Sequence, residues 1–99
     1  MSKVAAYQVG YRCERHAKER LEREGYLVIR SAGSHGPFDL AAFSKEDIRL
    51  ISLKVIPFAE KRIFQKEQQE LKKIPVCPFV RKELWVYEKR RGWHYYPCS

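Results

Sequence analysis

Glu14, Asp39 and Lys54 stand in settings that suit metal-assisted cleavage of a phosphodiester. Glu14 lies in a basic helical stretch, Gly10-Tyr11-Arg12-Cys13-Glu14-Arg15. Asp39 heads an apolar run, Phe38-Asp39-Leu40-Ala41-Ala42-Phe43, just after a glycine-rich loop. Lys54 lies in the next apolar run, Leu50-Ile51-Ser52-Leu53-Lys54-Val55. Phosphodiester hydrolysis uses a metal-activated water, with the metal and a nearby cation neutralising the developing charge. Mg²⁺ takes hard oxygen ligands and keeps several waters. An aspartate at the start of one strand and an acid on the neighbouring strand can share such an ion. A lysine two residues after that acid points to the same face, because strand side chains alternate. Ser52 and Lys54 have this spacing, with Asp39 on the adjacent strand of a predicted hairpin.

Each residue also has a plainer reading. Glu14 forms an i,i+4 ion pair with Lys18. Asp39 is a turn residue after Pro37. Lys54 is a charged gatekeeper on a strand edge.

These side chains need a helix and a hairpin to carry them. Val9, Cys13, Ala17 and Leu21 recur every fourth residue and predict a helix over 7–24 with one apolar stripe. Glu14–Lys18 and Glu19–Arg23 are its expected i,i+4 pairs, and Gly25 ends it as a left-handed cap. A strand is predicted over 26–29, a loop over 31–37, strands over 38–43 and 48–55, and a turn at 44–47. Past Pro57 a second helix is expected over 59–73, burying Ile63, Phe64 and Leu71 and stopped by Pro75. Strands are expected over 76–80, 84–87 and 93–96, with a turn at Arg90-Arg91-Gly92. The late aromatics are read as cover for the sheet, with base-stacking as the sharper alternative. The architecture is α/β, a central mixed β-sheet flanked by two α-helices.

The 99 residues suffice for one modest core, so a single domain over 1–99 is expected. Cys13, Cys77 and Cys98 are odd in number with no close pair, which argues against a disulfide framework and a zinc knuckle. The histidines show no ligand spacing, although His35 falls in the loop before Asp39. No apolar run approaches the roughly 20 residues of a membrane span, and the N-terminus lacks a signal-peptide core, so a cytoplasmic protein off the membrane is expected. Twenty Lys and Arg against twelve Asp and Glu give a net charge of +8. A polyanion is the natural partner of such a small basic domain. Lys61, Arg62, Lys66, Lys72 and Lys73 put a basic face on the second helix, fit for phosphates or simply for water. Gln65, Gln68 and Gln69 either line a groove or are ordinary helix surface.

The ordered set resembles the PD-(D/E)XK nuclease superfamily, and within it the archaeal-type Holliday junction resolvases. Gly10-x-x-x-Glu14-Arg15 is similar to their helix motif. Gly25-Tyr26-x-Val28-x-Arg30-Ser31-x-Gly33-Ser34 is similar to their strand and loop, and Asp39-Leu40-x-Ala42 to their motif aspartate and its sequel. The resemblance covers roughly 9–56. It implies a restriction-endonuclease-like fold and a Mg²⁺-dependent endodeoxyribonuclease (Mn²⁺ as alternative) cutting branched DNA as a homodimer. It implies Asp39 as direct metal ligand, Glu14 as a ligand through water, Lys54 as catalytic lysine and Ser34 near the scissile phosphate. Arg30 and Ser31, with Lys61, Arg62 and Lys66, would hold the DNA.

The same resemblance puts Glu or Asp where Ser52 stands, at a metal position. A serine hydroxyl is neutral and a poor Mg²⁺ ligand. Three explanations stay open: a carboxylate displaced to Glu60 or Glu67, a lost activity that leaves a binding protein, or an engineered replacement of a glutamate. A nuclease cutting ordinary duplex DNA would share the same site.

Overall fold

The computed structural model describes residues 3–31, 38–60 and 64–98, with side chains from Tyr11 onward. Helix α1 spans Lys3–Arg23. Strands β1 (Leu27–Arg30), β2 (Leu40–Phe43) and β3 (Ile48–Ile56) follow, then helix α2 (Gln65–Lys72), β4 (Val80–Glu88) and β5 (Gly92–Pro97). The strands form one mixed sheet in the order β1-β2-β3-β4-β5. Neighbours are antiparallel except β3 and β4, which run parallel, with α2 in the connection between them.

The ends of α1 follow from the sequence. Gly25 adopts φ +98°, its amide donates to the Glu22 carbonyl, and the Tyr26 amide donates to the Leu21 carbonyl. That pair of bonds is a Schellman cap, which only a residue tolerant of positive φ completes without strain. Cys13, Ala17 and Leu21 are buried, as the apolar stripe requires. The side chain of Val9 lies outside the described residues.

Strand alternation divides the core between the two faces of the sheet. Ala17 and Leu21 of α1 pack on Val28, Leu40, Ala42, Ile51 and Trp85. On the other face, Phe64 and Leu71 pack on Ile56, Leu84, Val86 and Cys98. Leu84, Trp85 and Val86 thus serve opposite cores in turn.

Two expected elements are corrected. The second helix begins at Gln65, not 59. Ala59 has φ +60°, outside the right-handed helical region, and its amide donates to Glu88 Oε2 at 2.8 Å. Ile63 lies outside the described residues. The strand predicted over 76–80 is instead a turn that leads into β4 at Val80. Pro75 and Pro78 supply no amide for a ladder, and the Val80 amide closes the turn on the Cys77 carbonyl. Among the described residues no helix is long and apolar enough to cross a membrane.

Candidate active site

Asp39 sits just before β2, where its backbone is held from both sides. Its amide donates to the Ile51 carbonyl at 2.8 Å, and its carbonyl accepts the Ser31 amide at 2.9 Å. Leu40 and Ala42 point to the α1 core, so alternation turns Asp39 toward the opposite face. In β3 the same rule sends Ile51 to the α1 core and places Ser52 and Lys54 with Asp39. The Leu53 amide donates to Asp39 Oδ2 at 2.7 Å.

Burial is the largest influence on the Asp39 carboxyl and raises it above the ordinary aspartate value. The Leu53 amide lowers it, the Glu14 charge raises it, and the Lys54 charge and the Ser52 hydroxyl lower it. All three sequence-predicted partners therefore act on this one carboxyl, and burial wins. Ser52 is itself buried, and its hydroxyl favours the charged form of Asp39.

Glu14, on α1, bears on this carboxyl through its charge. Its carboxylate accepts Arg30 Nε at 2.7 Å and Nη2 at 3.3 Å, a two-point bond between α1 and the end of β1. The expected Glu14–Lys18 and Glu19–Arg23 pairs give way to other partners. Lys18 pairs with Glu22, and Arg15 with Glu19. Arg30 stands over the Tyr11 ring, 6.0 Å from its centroid.

Among the described residues no three His, Cys, Asp or Glu side chains gather as a metal-binding group, so neither Glu60 nor Glu67 completes one. The Glu60 amide closes a turn on Pro57, and Glu67 lies in the first turn of α2. The oxygen donors that bear on this place are the Asp39 carboxylate, the Ser52 hydroxyl and, through its charge, the Arg30-bound carboxylate of Glu14. Mg²⁺ is commonly held by one or two carboxylates together with substrate phosphates and water. The residues present fit that minimal form, and they do not fit an all-protein cage.

Ser31 is half-buried beside Asp39, and Lys66, Lys72 and Lys73 are exposed on or next to α2. Ser34, His35, Lys61 and Arg62 lie outside the described residues. The Leu53 amide had no signal in the sequence, because a backbone donor is set by register and not by residue type.

No protein-family profile matches the chain, and no curated protein matches it. A solved structure does. It is Hjc of Archaeoglobus fulgidus, a Holliday junction resolvase from an archaeal hyperthermophile. The TM-score is 0.71 at 21% identity, covering 90% of this chain and 72% of that one. The α/β fold, a five-stranded mixed sheet with two helices, is therefore that of an archaeal Holliday junction resolvase.

Proposed function

We infer that the chain is a PD-(D/E)XK-type endodeoxyribonuclease acting on branched DNA, dependent on Mg²⁺ or Mn²⁺ and working as a homodimer. The observation that carries this reading is the placement of Ser52 and Lys54 on the Asp39 face of the β2–β3 pair, with the Glu14 charge also bearing on that carboxyl, within a resolvase fold. Asp39 and Glu14 would hold the metal, which supplies an activated water and charge neutralisation when bound. The Leu53 amide fixes the Asp39 carboxylate, and Arg30 fixes Glu14. Lys54, on the Asp39 face of the sheet, supplies a cation for the phosphate. A two-fold dimer would set two such sites for two cuts across a four-way junction.

A second reading is a protein of the same fold that binds DNA without cutting it. Ser52 favours it, since a neutral hydroxyl stands at a position that the resemblance makes acidic. The test incubates a synthetic four-way junction, a flap and a linear duplex with the chain in Mg²⁺ or Mn²⁺. Paired nicks across the junction, lost in Asp39→Asn while binding persists, support the nuclease. Salt-sensitive binding without cleavage by the chain, with cleavage restored in Ser52→Glu, supports the second reading. Absence of cleavage by both proteins overturns the nuclease assignment.

A further inference from the structure

A cleft of about 450 Å³ opens on the flank of α1 away from Glu14. Arg12 and His16 rise from one side of the helix, four residues apart. Tyr87, Lys89, Arg90 and Trp93 come from the end of the β4–β5 hairpin, and Cys13 lies at the α1 wall. Its size falls within the range of about 300–1,000 Å³ usual for small-molecule sites. Among the described residues no carboxylate lines it. The contrast with the other flank is sharp, where Arg15, Lys18 and Arg30 are all paired with glutamates.

The aromatics are arranged in planes. Trp93 lies nearly parallel to His16, at 12° with centroids 6.2 Å apart. Tyr87 is its cross-strand partner and meets it edge-on at 5.3 Å. The turn that carries the cations is held by positive φ at Arg90 (73°) and Gly92 (99°), which presents Arg90 at the hairpin tip. Flat rings take a base by stacking, and cations beside them take its phosphates.

We propose that this cleft binds single-stranded DNA, one base stacking on Trp93 while Arg12, Lys89 and Arg90 hold the neighbouring phosphates. The site is separate from the carboxylates and needs no metal. It therefore goes beyond the hydrolytic assignment and stands or falls independently of it.

The test is fluorescence anisotropy of a labelled oligothymidylate of about ten nucleotides, titrated with the full chain in EDTA over a series of salt concentrations. Trp93→Leu is expected to weaken binding about tenfold, the loss of one stacked base. Trp93 also packs against the α1-face core, so a surface variant guards against misfolding. Arg12→Ala/Arg90→Ala should weaken binding and lower the slope of log affinity against log salt by about 0.7 for each cation removed. Arg23→Ala/Lys45→Ala removes the same charge from the C-terminal end of α1 and the β2–β3 turn and should have a smaller effect. Equal losses in the two double variants would overturn the proposal, because net charge alone would then account for binding. Equal competition by poly-glutamate, or a duplex bound as tightly and without dependence on Trp93, would also overturn it. No cleavage enters any of these readouts, so a failure of the nuclease assignment leaves them unchanged.

Discussion

The Leu53 amide donates to the carboxylate of Asp39 across the β2–β3 pair at 2.7 Å. This bond favours the charged form of Asp39, yet burial of the side chain outweighs it and the carboxyl titrates above its ordinary value. The buried carboxyl is thus held at some expense to the fold. Below the unfolded value of 3.8 it is protonated in both states and contributes no difference. As pH rises through the raised folded value, the unfolded chain has already lost its proton, so stability falls. Asp39→Asn should therefore be more stable than the natural chain at neutral pH. That advantage should shrink to nothing in acid, as followed by urea denaturation from pH 3 to pH 8. An Asn variant that is less stable at neutral pH would show that Asp39 has no burial penalty.

Ser52 offers a complementary test. It is buried next to Asp39. A glutamate there would place a second carboxylate in a buried space already occupied by one. Without metal, like charges in low dielectric destabilise each other, so Ser52→Glu should lower the thermal midpoint and raise the Asp39 carboxyl further. With a divalent ion the same pair becomes a ligand set. The variant should then regain stability as Mn²⁺ is added, whereas the natural chain should shift less. Thermal melts over a metal titration read both effects.

Much of this arrangement was legible in the sequence, for definite reasons. The four-residue spacing of Cys13, Ala17 and Leu21 fixes one face of α1, and Gly25 fixes its end. Alternation in β3 separates Ile51 from Ser52 and Lys54. The start of α2 was not legible. Ala59 is a good helix former, but here it takes positive φ because Glu88, 29 residues away, accepts its amide. The partners of Glu14 were equally hidden. Local spacing pointed to Lys18, whereas the β1 strand brings Arg30 within 2.7 Å. The turn at 76–79 reads as strand only if Pro75 and Pro78 are discounted. In each case a distant contact or a missing amide overrode a local preference.

The Arg49–Glu83 pair ties β3 to β4. Arg49 Nε and Nη2 donate to the two carboxylate oxygens at 2.8 and 2.7 Å, and both side chains are largely buried. Arg49 also stands over the Tyr26 and Trp85 rings. Burial alone would raise Glu83, but the Arg49 bonds and the Trp85 indole N–H outweigh it and hold the carboxyl below its ordinary value. Its contribution is present above the unfolded value of 4.5 and is lost as pH falls through the lower folded value. Glu83→Gln leaves the guanidinium partly stranded and should cost about 3 kcal/mol at neutral pH. The cost should shrink in acid, where the natural carboxyl is also protonated. Denaturation curves at neutral and acidic pH check the sign.

Lys82 closes the far side of the sheet against α2. Its side chain is buried, and Nζ donates to the Lys72 carbonyl at 3.0 Å and the Ile74 carbonyl at 3.2 Å. The final carbonyls of a helix have no partner within it, and a cation there also meets the negative end of the helix dipole. α2 has only eight residues and no side-chain cap at Phe64, so it depends on tertiary contacts to persist. Lys82→Met keeps the length of the side chain but removes both donors. Two part-buried hydrogen bonds are lost, at about 1–3 kcal/mol in stability. The damage should be local. Hydrogen exchange should quicken in the amides of α2 while those of α1 and β2 hold, and uniform acceleration over the whole chain would show that Lys82 supports the sheet and not the helix.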